Sequence, residues 1–236
     1  MMAGLKKLWQ RPFRIVMWAC GLFIGLTIIA MFFYPGGTWA DHTTVGYHFF
    51  QNFFSDLGMR TAHNGVANPV AATLFFVALT GAGLGLVLFF LTFPRFFADH
   101  GWLKWLSWLG TAVGVWSGIS FVGIAFTPAD LFMDAHVSFV YRAFLSLPVA
   151  IFIFAIAIWR HPTFPKRYAA VLFSFTICLI GYVWLLFFGP SGVTEQGLDY
   201  QATGQKLIVY IAIGSMLYLA SGAHQQQAAT GAPATF

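Results

Sequence analysis

The sequence predicts an all-α integral membrane protein, a polytopic bundle of six transmembrane helices. Of its 236 residues, 59% are hydrophobic and only 8% are charged. Most charged residues lie between six apolar stretches, each close to the ~20 residues that a helix needs to cross a hydrocarbon layer of ~30 Å. We predict one membrane domain, residues 1–236, with spans at 13–34, 68–92, 103–126, 136–159, 169–189 and 204–222.

The first three stretches have further features of membrane helices. The first is longer than the 7–15 apolar residues of a signal-peptide core, so we predict that it stays in the membrane. Glycines at spacing four let neighbouring backbones approach closely. They occur as Gly21 and Gly25, as Gly81 and Gly85, and as Gly110, Gly114 and Gly118. Because helix 3 has the longest such row, we expect it to be the most buried helix and to lie at the centre of the bundle.

The segments outside the spans differ in composition. Residues 43–56 combine aromatic and polar side chains, which predicts a segment lying on the outer membrane surface. In helix 4, Pro148 is the one sign of a broken mid-membrane helix of the kind that transporters use. Residues 223–236 are polar and of low complexity, which predicts a cytoplasmic tail.

Basic residues indicate the orientation. If alternate loops lie on alternate sides, one side carries nine Lys and Arg residues and the other carries three, Arg60, Arg142 and Lys206. Basic residues are retained on the cytoplasmic side, so both termini are predicted to be cytoplasmic, in a bacterial inner membrane. Six of the seven acids then lie outside. The net charge of +5 is therefore an orientation signal. The sequence lacks the basic patch that would indicate nucleic-acid binding, so we expect no nucleic-acid partner.

The predicted outer loops contain a repeated phrase. After helix 1 the chain has Asp56-Leu-Gly-Met-Arg-Thr-Ala-His63, and after helix 3 it has Asp130-Leu-Phe-Met-Asp-Ala-His136. Internal repeats are common in multi-helix membrane proteins, and this one could mark a duplicated helical hairpin. The phrase therefore predicts two Asp–His pairs at equivalent heights near one another.

Two interpretations of these pairs are open. Two carboxylates and two imidazoles suit Zn, Mn or Fe(II), and such a metal could activate water for hydrolysis. Alternatively, Asp56 and Asp130 cap helices or turns, and His63 and His136 form hydrogen bonds at headgroup level.

Arg142 lies about two turns inside predicted helix 4, where a charge is costly and usually paired. Asp134 and Ser138 precede it at spacing four, so the three share one face. We expect Asp56 or Asp130 to pair with Arg142, and the alternative is an arginine that reaches the interface. The candidate binding cluster is Asp56, His63, Asp130, Asp134, His136 and Arg142.

Some of these residues carry a family resemblance. Ser55-Asp56-Leu57-Gly58, Asn68, Gly123, Pro128-x-Asp130 and His136 stand in the order seen in a bacterial and archaeal family of integral membrane proteins. The chain thus resembles the family labelled domain of unknown function 998, from about helix 1 to helix 6. The resemblance implies a six-helix membrane bundle, and it implies no established activity.

The sequence also limits the classes of cofactor that the protein could bind. No histidines lie in mid-membrane on facing helices, which disfavours a bis-histidine haem. Lys206 lies at a helix mouth in the predicted spans, so we expect no retinal Schiff base. We expect the 28 phenylalanines to face lipid, and alternatively they could line a site for a bound lipid, carotenoid or quinone. Phosphate-binding glycine loops and nucleophile elbows are absent from the sequence.

These observations lead to two functional hypotheses. The first is a non-catalytic subunit or accessory protein of a larger membrane complex, because the polar tail cannot bury enough apolar surface to order itself and would need other subunits. The second is a membrane enzyme or lipid-binding protein that uses the outer Asp/His/Arg cluster, where an arginine could bind a lipid phosphate.

Overall fold

The structure, a computed structural model, describes residues 12–230, with side chains as far as residue 227. Within residues 12–230 there are six α-helices and two short 3-10 helices, Phe54–Gly58 and Phe93–Phe97. All six α-helices are long and apolar enough to cross a membrane, which confirms the predicted fold class of a multi-pass helical protein. They are α1 Pro12–Phe33, α2 Pro69–Thr92, α3 Trp102–Phe126, α4 Met133–Arg160, α5 Lys166–Phe188 and α6 Glu195–Thr230.

The last helix departs most from its predicted bounds. It begins at Glu195 rather than at residue 204, because the Thr194 hydroxyl accepts a hydrogen bond from the Gly197 amide at 3.1 Å and caps the helix. The Gln201 side chain donates to the Leu185 carbonyl at 2.8 Å and so fixes the added turns to the end of α5. At its other end α6 includes residues 223–230 of the predicted polar tail, whereas residues 1–11 and 231–236 lie outside the described part of the chain.

The helices form a closed ring. Each packs against the next along the chain, and α6 packs against α1 to complete the circle. The expectation for helix 3 is confirmed, because its most apolar window is 44% buried against 22–39% in the other spans. It reaches this burial between α2 and α4, as one member of the ring, so the expected position at the centre of the bundle is wrong.

The glycine rows behave differently from one another. A Cβ on Gly114 would lie 2.4 Å from the Phe90 ring, and one on Gly118 would lie 3.0 Å from the Gly83 carbonyl oxygen of α2. Gly21 and Gly25 of α1, by contrast, have nothing within 4 Å of an added Cβ. Only the α3 row therefore lies wholly at helix contacts, and the same spacing in α1 does not mediate packing.

One end of the ring has an aromatic core. Many phenylalanines there pack on one another instead of facing lipid. Phe93, for example, contacts the rings of Phe89, Phe97 and Phe154 at centroid distances of 4.8–5.7 Å. We call this the basic end, because it carries Arg14, Arg95, Lys104, Arg160, Lys166 and Arg167.

An apolar cavity of about 80 Å³ lies inside the ring. Residues of the non-adjacent helices α1 and α4 both line it, which places it near the ring axis. The opposite end, which we call the acidic end, carries Asp41, Asp56, Asp130, Asp134, Glu195 and Asp199. There the connection from α1 to α2, residues 34–68, folds over the ring, and we call it the cap.

Candidate functional site at the acidic end

Asn52 organises the cap. Its side-chain oxygen accepts a hydrogen bond from the His48 amide at 2.8 Å, and its amide nitrogen donates to the Gly37 carbonyl at 2.9 Å. Gly37 has a φ of +82°, and a Cβ there would lie 2.4 Å from the Asn64 backbone nitrogen. Glycine is therefore required where the two ends of the cap meet. The cap includes the predicted interfacial segment 43–56, which forms turns and ends in the 3-10 helix Phe54–Gly58.

Asp56 is the buried acid of the cap, with only 5% of its surface exposed. One carboxylate oxygen accepts hydrogen bonds from the Asn52 side chain and from the Phe53 amide, both at 3.0 Å. The His63 Nε2 lies 3.5 Å from the same oxygen, an ion-pair distance when the imidazole is protonated. Trp39 and His42 pack their rings against His63. Burial of this carboxylate is thus offset by several polar partners.

Lys206 of α6 lies beneath the cap and is 1% exposed. Its Nζ donates hydrogen bonds to the carbonyl oxygens of Asn52 and Ala202. Three rings surround the same nitrogen, with centroids at 5.4 Å for Tyr47, 5.2 Å for Phe49 and 5.7 Å for Phe54. A cation over several desolvated rings gains about 2 kcal/mol or more. Lys206 therefore joins α6 to the cap.

Two tyrosines complete this buried group. The Tyr47 hydroxyl donates to the Phe53 carbonyl at 3.0 Å, and the Tyr34 hydroxyl accepts from the His63 amide at 3.4 Å. Burial, and next the charge of Asp56, raise the pKa of both phenols above the ordinary value. Both hydroxyls consequently remain protonated at neutral pH and available as hydrogen-bond donors.

Further contacts fasten the cap to the helices. The Gln205 side-chain oxygen accepts from the Phe54 amide at 2.7 Å. The Asn68 side chain donates to the carbonyl oxygens of Leu57 and Met59 at 3.1 and 2.9 Å, so it binds the backbone of the Ser-Asp-Leu-Gly motif. The 3-10 helix is thereby held in the mouth of the ring.

The two copies of the repeated phrase are not equivalent in the structure. Asp130 accepts hydrogen bonds from the amides of Arg60 and Thr61 at 3.0 and 2.9 Å, so it binds the first copy instead of its own histidine. The His136 Nδ1 lies 2.7 Å from the Thr127 carbonyl oxygen. The connections also differ, since residues 34–68 join α1 to α2 and only residues 127–132 join α3 to α4.

Arg142 and Asp134 lie apart from this group. Both are exposed, and the Arg142 guanidinium lies 5.4 Å from the centroid of the Phe139 ring. Within residues 12–227, the one ion pair between side chains is that of Asp56 and His63. The prediction that Asp56 or Asp130 pairs with Arg142 is therefore wrong. An exposed arginine near the start of α4 can extend its guanidinium to the membrane–water interface, so it needs no buried counter-charge.

The predicted metal site lacks a set of ligands in the described residues. Across the described part of the chain, no three or more His, Cys, Asp and Glu side chains are grouped so that they could hold a metal ion. The polar atoms of Asp130 and His136 are instead engaged with backbone groups, as noted above.

Sequence reasoning missed Asn52 as a site residue, and it placed Lys206 at the outer mouth of helix 6 but outside the candidate cluster. With α6 predicted from residue 204, Lys206 stood at a helix mouth, whereas the true start at Glu195 puts it three turns inside. Thr194 followed by Glu195 is the pattern of a helix N-terminus and could have revealed this. Asn52 had no such signal, because its role depends on contacts between distant parts of the cap.

A groove of about 510 Å³ lies between the cap and α6. The Phe49 ring belongs both to this groove and to the group around Lys206, so it separates the buried amine from the groove. The groove is lined by His48, Phe49, Phe50, Gln51, Asp199 and Thr203.

Comparison of the chain with protein-family models, with curated proteins and with solved structures found no match in any of the three.

Proposed function

We propose that this multi-pass membrane protein binds a membrane lipid at its acidic end, with the lipid headgroup in the groove between cap and α6. The groove itself is the observation that supports this most. Its volume of about 510 Å³ falls within the 300–1,000 Å³ typical of small-molecule sites. Its aromatic and polar lining is that of a surface at the membrane–water interface.

The side of α6 supplies a place for the lipid tail. Thr203 lines the polar groove, and Leu207, one turn further along the same face, is 61% exposed. Leu207 and Gly204 also line a second, largely apolar groove of about 240 Å³ between α5 and α6. An amphipathic molecule could therefore place its headgroup beside Thr203 and an acyl chain beside Gly204.

The buried group around Asp56 and Lys206 gives the headgroup site a fixed shape. It holds the aromatic turn at Phe49 and Phe50 against α6 before any ligand arrives. A site that is ordered in advance loses less conformational entropy when it binds. In this proposal Asp56 and Lys206 are positioning residues, and the groove residues contact the lipid.

The orientation and the family resemblance support the same proposal. The nine-to-three distribution of basic residues favours an orientation with the acidic end outside the bacterial inner membrane and both termini in the cytoplasm. The residues that carry the resemblance, Asp56, Asn68, Asp130 and His136, are ones that hold the cap and the α3–α4 connection. We propose that the motif of domain of unknown function 998 is a structural motif of such a cap.

The lipid proposal predicts that Phe50→Ala weakens lipid binding. Phe50 is 62% exposed and lines the groove, so its loss should cost little stability and remove apolar contact with the ligand. We expect binding about tenfold weaker, equivalent to about 1.4 kcal/mol. The measurement is a titration of delipidated protein in detergent with dihexanoyl phosphatidylcholine, followed by native mass spectrometry.

Phe132→Ala is the matched control for Phe50→Ala. Phe132 is an equally exposed phenylalanine (56%) at the acidic end, in the connection between α3 and α4 and outside the groove. Its removal should leave binding unchanged. Equal effects of the two substitutions, or absence of saturable binding to the unaltered protein, would refute the proposed lipid site.

A second candidate function is that of a non-catalytic accessory subunit. The length of α6 favours it, since 36 residues span about 54 Å against a hydrocarbon layer of ~30 Å. The His224 Nε2 lies 3.1 Å from the Arg14 Nε in the first turn of α1, and α6 continues beyond that contact. Its last residues could therefore bind another subunit at the basic end.

This second candidate predicts that deletion of residues 225–236 releases the protein from a larger complex. Native membranes would be solubilised in mild detergent, and the size of the particle containing the chain would be measured for the full-length and the shortened protein. We expect a large particle that shrinks on deletion. A full-length chain that migrates as a monomer would contradict the subunit role.

A further inference from the structure

The groove at the acidic end has a negatively charged lining. Of its six lining residues only Asp199 is charged at neutral pH when histidine is neutral. Two phenyl rings, Phe49 and Phe50, form another part of the wall, with centroids 5.3 Å apart in an edge-to-face arrangement. A carboxylate beside aromatic faces is the surrounding that stabilises an organic ammonium ion.

We propose that the groove selects the ammonium group of a zwitterionic headgroup, such as that of phosphatidylcholine or phosphatidylethanolamine, through Asp199, Phe49 and Phe50. This inference rests on the proposed lipid binding and names the class of headgroup. The phosphate of the same headgroup would be left to neutral donors of the groove, the Thr203 hydroxyl and the Gln51 side-chain amide.

An anionic headgroup fits the groove less well, because the nearest cation does not reach it. The Lys206 amine is buried behind the Phe49 ring and already donates hydrogen bonds to the Asn52 and Ala202 carbonyl oxygens. The other two basic residues of the acidic end, Arg60 and Arg142, do not line the groove. An anion placed there would face the Asp199 carboxylate without a compensating charge.

Asp199 also lies in a suitable place. It is half-buried in the second turn of α6, one turn before Thr203, so the two side chains share one face of the helix. The carboxylate can therefore contact a headgroup whose acyl chains extend along the same helix towards Leu207. Glu195, one turn earlier on α6, is exposed and outside the groove lining.

The test compares three short-chain lipids on delipidated protein in detergent. We expect dihexanoyl phosphatidylcholine and dihexanoyl phosphatidylethanolamine to bind at least about tenfold more tightly than dihexanoyl phosphatidylglycerol, whose headgroup has no ammonium. Asp199→Asn should remove this preference and leave phosphatidylglycerol binding unchanged or stronger. Glu195→Gln is the matched control and should keep the preference, and thermal unfolding would verify that both variants fold.

The possible outcomes separate the two proposals. Equal or tighter binding of phosphatidylglycerol would overturn the ammonium selectivity while the lipid site stands. Equal effects of Glu195→Gln and Asp199→Asn on the lipid preference would likewise overturn the ammonium selectivity and leave the lipid site standing. Free phosphocholine that binds as tightly as the lipid would keep the ammonium site and overturn the lipid proposal. Absence of saturable binding to every probe would overturn both.

Discussion

Replacing Gly114 with leucine should strongly destabilise the protein. An added Cβ would lie 2.4–2.5 Å from three carbons of the Phe90 ring, and Phe90 is fully buried. That ring itself packs against Phe154 of α4 at a centroid distance of 5.7 Å, so it has no free space into which to move. Overpacking a filled contact costs about 1–3 kcal/mol and occasionally more, and we expect the upper part of that range.

Gly25→Leu is the matched control, because it makes the same chemical change at a glycine of α1 with nothing within 4 Å of the added Cβ. Its effect should be small, about 0.5 kcal/mol or less in either direction. The measurement is the thermal unfolding of the purified proteins in one detergent. Equal melting temperatures of the Gly114 and Gly25 variants would show that the α2–α3–α4 contact is not as the structure has it.

Replacing Asp56 with alanine should release the cap. The substitution leaves the buried Asn52 side-chain nitrogen without one of its acceptors and the Phe53 amide without its acceptor, at a cost of about 1–3 kcal/mol for each unsatisfied group. It also removes the negative charge beside His63 and near Lys206. We expect rapid protease cleavage within residues 34–68, measured by limited proteolysis and mass spectrometry, while the six helices remain folded.

Two variants define the cause of that effect. Asp134→Ala removes an exposed acid at the same end of the protein and should leave the cleavage rate unchanged. Asp56→Asn keeps an acceptor oxygen and loses the charge, so it should give an intermediate rate. If Asp56→Ala is as resistant to protease as the unaltered protein, the carboxylate does not hold the cap.

The helices could be predicted because their signal is local. Apolar composition over ~20 residues is sufficient to predict a span, and five of the six spans agree with the structure to within a few residues. Glycine spacing is a weaker guide, since Gly21 and Gly25 have the same spacing as Gly110 and Gly114. Which row faces a neighbour depends on the rotation of each helix about its axis, and the spacing does not specify that rotation.

The site could be predicted only in part. The short motif around Asp56 was found because its residues are adjacent, and the prediction that acids and histidines meet at one end followed from topology. Lys206 belongs to this group through contacts with Tyr47, Phe49 and Phe54, residues about 150 positions away. Long-range contacts of this kind leave no pattern in a single sequence. Arg142 is the reverse case. Its position along α4 predicted a paired charge, but position along a helix does not reveal that the side chain lies on the exposed surface of the bundle.

The closure of the ring by α1 and α6 affects the order in which the protein can assemble. About 160 residues separate the end of α1 at Phe33 from the start of α6 at Glu195. At a synthesis rate of about 5–20 residues per second, α1 therefore waits on the order of ten seconds or more before its last neighbour is made. During that time the cap also lacks Gln205 and Lys206, which bind Phe54 and Asn52. The ribosome-bound chain thus has an open flank and an unfastened cap, on which membrane chaperones and proteases can act in that interval.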